Sequence, residues 1–315
     1  MSAPIGDSFV RTVCGDIRAS ELGRVNYHEH LFQVSPLLVG DELDDEEAST
    51  REAESVRVAG TTTIVEATPT GLGRNVDAVV RISEAVGLNI VHVTGAHKSA
   101  HYAASEPLLS ASENALADLF VRDIVVGFPE ASRVGVRAGI VKAAIGYWSM
   151  PPFERRVLAA AAITHGVSGA PVMVHLDHGS AAHEVLDVLA ADGVPADAVV
   201  LAHMDRNLDP GLHKDLAARG AYLGYDGAAR HREAPDSAIL ACLAQVVADS
   251  AGSRRVVLGG DVARASRYRE YGGLPGLDYL DVRFVPRLVD TVGEDAANAI
   301  LSRNPSHWLS FRAVR

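Results

Sequence analysis

Short apolar runs recur along this chain and alternate with longer segments whose apolar residues repeat every three to four positions. Runs such as TTTIVEA, NIVHVTG and PVMVHL are rich in β-branched residues and too short for helices, so they read as strands. The pattern predicts strands near 25–28, 61–67, 89–95, 139–144, 171–176, 198–203, 221–226 and 255–260. Between them, FERRVLAAAAITHG, AAHEVLDVLAADG, DPGLHKDLAARG and SAILACLAQVVADSAGS have helical periodicity, and several stop at glycine. The first run is preceded by SFVRTVCGDIRAS, which reads as a short β-hairpin. Eight strands alternating with helices predict an α/β fold, a (β/α)8 TIM barrel with an N-terminal β-hairpin, in which 1–315 form one domain. A doubly wound open sheet fits less well. It usually carries a glycine-rich phosphate loop after its first strand, where this chain has His-Glu-His.

Composition narrows the function classes. The 315 residues are 48% hydrophobic with only 5% aromatics, and their formal net charge is −11. That charge argues against a general affinity for nucleic acid or anionic lipid. Nothing approaches the roughly 20 apolar residues needed to cross a bilayer, and the opening MSAPIGDSFVRT has no signal-peptide pattern. A cytoplasmic location is expected. The two cysteines, Cys14 and Cys242, offer neither a disulfide framework nor a zinc-type spacing, and are expected to be small buried residues.

The chemistry lies where the strands end. His28, His30, Lys142, His175, His203 and Asp261 stand at or just past the ends of runs that otherwise look buried. If the strands are parallel and closed into one barrel, all six side chains meet at one mouth. Residues two apart share a face of a strand, so His28 and His30 can grip one ion while Glu29 points away. Imidazole and carboxylate suit zinc or a similar divalent metal. Lys142 inside AGIVKAA has two accounts: a salt bridge to a buried acid such as Asp261, or a neutral lysine that has captured carbon dioxide as a carbamate.

Several segments together resemble the phosphotriesterase-like branch of the amidohydrolase superfamily. They are ELGRVNYHEHLF, GTTTIVEATPTGLGRN, VRAGIVKAA, PVMVHLDHG, VVLAHMDR and ILSRNPSHWLSF, and they span nearly the whole chain. The resemblance implies two divalent cations, zinc in the first place, with manganese or cobalt as alternatives. His28, His30 and Asp261 would hold the more buried ion, His175 and His203 the more exposed one, and carboxylated Lys142 would bridge them. Two such ions can share a hydroxide that acts as nucleophile at neutral pH, with Asp261 passing its proton to the leaving alkoxide. The resemblance also implies a homodimer.

That machinery serves esters, lactones, amides and phosphotriesters alike, so the loops must select the substrate. YDGAARHREAPDS and DVARASRYREYGGLPGLDYL carry Arg230, Arg232, Arg264, Arg267 and Arg269 on an acidic protein. Barrels commonly hold phosphate after strands seven and eight, and guanidinium matches phosphate oxygens. Arg230 and Arg264 are read as substrate contacts, with Arg267 beside them as a further candidate. Arg232 and Arg269 are read as solvated residues paired with Glu233, Glu270 or Asp236. The two loops resemble those of a subgroup that opens phosphorylated sugar lactones, although Arg267 stands where that subgroup tends to have tyrosine. The expected function is therefore a binuclear metal-dependent lactonase on a phosphorylated sugar lactone. The alternative is an esterase, amidase or other lactonase on a different small anion, with weak phosphotriesterase side activity. Lys98 and Tyr102, after the third strand, are further candidates for substrate contact, and Trp148 either covers the mouth or packs between helices. GLGRN at 71–75 reads as a turn opening a helix, and His92 as a core histidine.

Overall fold

The structure is a computed structural model and describes residues 8–314. Strands β1 (Phe9–Thr12) and β2 (Gly15–Arg18) form the antiparallel hairpin. Then follow β3 (Val25–Glu29), β4 (Thr63–Glu66), β5 (Asn89–Gly95), β6 (Ile140–Ile145), β7 (Val172–Leu176), β8 (Val199–Ala202), β9 (Tyr222–Tyr225) and β10 (Val256–Leu258). These eight make one parallel sheet in sequential order. The seam between β10 and β3 is drawn together at its upper end, where His28 O accepts from Asp261 N (2.9 Å) and Gly260 N (3.3 Å). Helices cover the outside, among them α1 (Glu46–Ala59), α2 (Val76–Val86), α3 (Glu113–Val125) and α4 (Pro152–Ser168). The eight-stranded TIM barrel and its hairpin stand as the alternation of runs predicts.

The 71–75 segment does open a helix, since Asn75 caps α2 by accepting from Ala78 N. One expectation fails at the hairpin. Cys242 is buried but Cys14 is exposed: of the two residues in the turn between β1 and β2, Val13 takes the core side, which leaves Cys14 on the open side with its Sγ 3.4 Å from Ser83 Oγ. Among the described residues no helix is long and apolar enough to cross a membrane.

The barrel interior explains why the strand ends matter. Val25, Val65, Val91, Ile140, Met173, Val200, Tyr222 and Val257 pack together inside, and Trp308 and Leu309 join this cluster. Side chains alternate faces along a strand. Two residues beyond Ile140 is Lys142, two beyond Met173 is His175, and four beyond Tyr222 and Val257 are Asp226 and Asp261. The inward row that is apolar at the bottom therefore becomes polar at the top.

Candidate functional site

His28 requires one departure from simple alternation. Tyr27 already points inward, in contact with Trp308, which would send His28 outward. The register of β3 against β4 shifts between Asn26 and Glu29, and such an irregularity re-aims a side chain. His28 and His30 consequently both line the cavity. Glu29 does turn away, accepting from Asn26 Nδ2 (3.0 Å) and Val262 N (3.1 Å) across the seam. Gly224 completes the arrangement, because a Cβ there would overlap the Tyr27 hydroxyl.

The structure brings His28, His30, Lys142, His175, His203 and Asp261 together in a cavity of about 200 Å³ at the C-terminal mouth of the barrel. Ligand atoms of His28, His30 and Asp261 lie within 4.8 Å of one another. Asp261 Oδ1 is 3.5 Å from His28 Nε2 and 3.6 Å from His30 Nε2. Asp261 and His203 both adopt left-handed φ, +44° and +66°. For residues with a Cβ this conformation costs about 1–3 kcal/mol and collects at functional sites.

Hydrogen bonds assign the tautomers. Asp226, fully buried, receives His28 Nδ1–H (3.0 Å) on one oxygen and His203 Nδ1–H (2.7 Å) on the other, and the Tyr27 hydroxyl also donates to it. His30 Nδ1 donates to Thr68 Oγ1 (2.7 Å), whose own proton goes to Phe32 O (2.6 Å). His175 Nε2 donates to Asp177 Oδ1 (2.8 Å). Each imidazole is thus left with one bare nitrogen aimed into the cavity. His28 Nε2 is buried with no hydrogen-bond partner at all. His175 Nδ1 and His203 Nε2 face each other at 2.6 Å with lone pairs on both.

This donor set fits divalent cations. Metal-ligating histidines characteristically give their second nitrogen to a carboxylate or hydroxyl, and they bind in the neutral form. Burial pushes His30 down to about 3 and His203 down to about 4, and it drives His175 well below the ordinary histidine value. His28 and His203 also form a cluster with Asp226, yet both rings present their protonated side to it, which makes Asp226 the orienting group rather than a ligand. Burial would raise the Asp261 carboxyl, but Arg230, His28, His30 and His203 outweigh it and hold it well below the usual range.

Lys142 is enclosed, and its Nζ donates to Ala67 O (2.7 Å). Among the described residues it forms no salt bridge to an acid. Burial pushes its pKa down to about 8 against the pull of Asp261, Glu66 and Asp226, so the free amine is far more available than in an ordinary lysine.

The remaining candidates are placed unequally. Arg230 lines the cavity with Nη2 2.6 Å from Asp261 Oδ2, and the same atom reaches Asp261 O. Arg264 also lines it, is exposed, and has only a 3.6 Å contact to Asp41. Arg267 is half-buried beside Arg230 in an adjoining pocket. Lys98 lines the cavity, but its Nζ is held by Asp177 Oδ2 at 2.5 Å. Tyr102 is not brought to the cavity. Its hydroxyl donates to Thr70 O and accepts from His97 N, and its ring packs on Phe153. Arg269 pairs with Asp278 rather than with the acids expected for it. Trp148 is exposed and does not line the metal cavity but a neighbouring cleft, while His92 is buried with Nδ1 2.9 Å from Val93 O.

Several polar residues of the site are given no role by the sequence, among them Asp226, Asp177, Arg206 and His97. Asp226 had a usable signal, since LGYDG ends an apolar run in aspartate just as RRVVLGGD does. Arg206 places Nη2 2.8 Å from Asp261 Oδ2, and nothing in VVLAHMDR marks it.

Comparison with known proteins agrees with this geometry. A phospho-furanose lactonase of Mycoplasmopsis synoviae is 31% identical over 98% of this chain and 94% of its own length. A lactonase from Listeria monocytogenes superposes with a TM-score of 0.91 at 31% identity, covering 97% of this chain and all of that one. A phosphotriesterase homology protein from Escherichia coli, solved with phosphate in its active site, gives a TM-score of 0.83 at 27% identity, covering 91% of this chain and 99% of that one. Residues 8–309 match the phosphotriesterase family. The chain therefore belongs to the phosphotriesterase family and is a metal-dependent hydrolase.

Proposed function

We propose that this chain is a binuclear metal-dependent lactonase that opens a phosphorylated sugar lactone. The observation that carries the phosphate assignment is a crowd of cations on one side of the cavity. Arg267 is pushed below the usual guanidinium value by burial and then by Arg230 and Arg264 beside it. Like charges gathered in this way favour an anionic ligand, and guanidinium is the group best matched to phosphate. The names of the lactonase relatives support the same reading.

In this reading His28, His30 and Asp261 would hold one cation and His175 and His203 the other, and Lys142, as a carbamate, would supply further oxygen ligands. Zinc suits these nitrogen and oxygen donors, and manganese or cobalt can use them too. When bound, the cations supply Lewis acidity and lower the pKa of water. The chain's own groups do the rest. Asp226, Thr68 and Asp177 keep each imidazole proton on the nitrogen that faces away from the cavity. Asp261 takes the proton of the attacking water and returns it to the ring oxygen as the lactone opens. Arg206 and Arg230 hold its carboxylate ionised until the substrate arrives. Arg230 then exchanges Asp261 for the substrate anion, which restores basicity to the carboxylate at the moment it is needed.

The test is a pH-indicator assay over lactones with and without a phosphate, run beside metal analysis. About two metals per chain and hydrolysis confined to phosphorylated lactones are expected, with Arg264→Ala raising KM selectively for those substrates. Equal rates on neutral lactones would remove the phosphate assignment. Turnover of anionic esters or amides in preference to lactones would move the enzyme to the alternative class.

A further inference from the structure

Beside the metal cavity lies a second, larger cleft of about 630 Å³, and the two share Asp177 and Arg206 as a common wall. That size falls within the about 300–1,000 Å³ of small-molecule sites. Its outer edge is a tight turn in which Gly146 and Ser149 exchange backbone hydrogen bonds, leaving Tyr147 and Trp148 at the tip. Each is 63% exposed. Trp148 has φ +47°, a conformation that turns normally assign to glycine or asparagine. His178 and Ala181, on the facing loop, both have φ +54°. Strain at non-glycine residues that ligate nothing points to a second function for this corner. The ledge is also anchored, since Trp148 N donates to Ser180 Oγ (3.1 Å), which donates to Asp177 O (2.7 Å).

The lining identifies the ligand chemistry. Its two charged residues are already engaged: Asp177 by His175 and Lys98, Arg206 by Asp261 and Glu233. What remains carries no carboxylate, lysine or arginine. Tyr147 and Trp148 contribute exposed aromatic rings, with Tyr147 set at 87° to the His178 ring, and the Tyr147 hydroxyl, the Trp148 indole N–H, the His178 imidazole and the Asn207 amide are donors and acceptors along the same lining. Aromatic faces take the C–H face of a sugar ring, and neutral polar groups take its hydroxyl edge. An anion would meet no free cation, and a plain aryl ring would leave the amide and imidazole unpaired.

We infer that this cleft binds an uncharged sugar ring stacked on Trp148 and Tyr147. Resting on the lactonase reading, the physiological lactone then carries a glycosyl substituent that extends past Asp177 and Arg206 into the cleft.

The protein holds its own reporter. Of its two tryptophans, Trp148 is exposed and Trp308 is buried. Wild-type protein is titrated with neutral probes, namely methyl furanosides, methyl pyranosides, cellobiose and lactose, while tryptophan emission is followed without any turnover. At least one probe should give a saturable change, and Trp148→Phe should abolish that change. Tyr147→Ala and Asn207→Ala, in which Trp148 still reports, should each weaken binding by about tenfold. Calorimetry with the same probe on Trp148→Ala should show the same loss. The proposal is overturned by no saturable change up to about 50 mM of any probe. It is also overturned by affinities that both variants leave intact, or by phenol binding more tightly than every sugar. The titration needs no hydrolysis, so a failed lactonase assay leaves it standing, and a failed titration leaves the lactonase reading untouched.

Discussion

Of the two metals proposed above, replacing Asp226 by asparagine should remove one and leave the other. The carboxylate accepts from His28 Nδ1 at 3.0 Å on Oδ2 and from His203 Nδ1 at 2.7 Å on Oδ1. An amide offers only one acceptor, and its other end donates. If the amide oxygen stays toward His28 and Tyr27, the NH2 meets the Nδ1–H of His203. That ring must then move its proton to Nε2, the nitrogen that faces His175. With the opposite flip, His28 loses its bare Nε2. Either way one ligand lone pair is lost, not two. Disturbing an outer-shell partner costs about 10–100-fold in metal affinity, or about 1.4–2.7 kcal/mol. A hydrogen bond to a charged group is worth about 1.5–3 kcal/mol, so the two routes agree. The assay is competition against a chelator, reading metals per chain. One should be lost about 10–100-fold sooner while its neighbour shifts by no more than about threefold. Tyr27→Phe, which removes a donor without touching either imidazole, is the control for general damage, and thermal melts show that each variant is folded. Retention of both metals within about threefold in folded Asp226→Asn would refute the tautomer argument.

Three other outcomes follow from the same geometry. Lys142→Ala should lose metal in direct analysis, and a short-chain acid or bicarbonate should restore part of it by replacing the carbamate oxygens; full metal occupancy in the unsupplemented variant would contradict a bridging lysine. Asp177→Ala frees His175 Nε2 from its acceptor and leaves Lys98 unpaired. The more exposed metal should weaken about tenfold with the His28 and His30 pair unaffected, as read by stepwise metal titration. His92 is pushed down to about 3 by burial. Its unfolded imidazole titrates near about 6.5, so its contribution to stability is complete above that pH and erodes as pH falls toward 3. The melting temperature of His92→Phe should therefore fall less than that of the wild type between about pH 7 and about pH 4.5, and parallel curves would exclude His92 as a source of acid lability.

Some of this was legible in the chain as a linear string. Strand and helix placement follow from local periodicity, and a parallel barrel delivers every strand end to one mouth, so His28, His30, Lys142, His175, His203 and Asp261 could be named together without coordinates. Even the pairing of His28 with His30 was readable, although the irregularity in β3 that turns both inward was not. Contacts chosen across the barrel were invisible. Asp226 lies 198 residues from His28, Lys98 reaches Asp177 79 residues away, and Arg206 reaches Asp261 55 residues away. Lys98 and Tyr102 sit in one loop and look alike as candidates, yet one lines the cavity and the other ties its own loop to Thr70.

The sequence by itself determined the fold class and which side chains stand at the strand ends, because alternation along a strand and the direction of a parallel barrel are local properties multiplied eight times. Tertiary structure alone decided which nitrogen of each histidine is bare, which arginine rests on Asp261, and where the exposed Tyr147 and Trp148 stand. Those depend on the closing of the barrel and the packing of its loops, which set hydrogen-bond partners that no local pattern encodes.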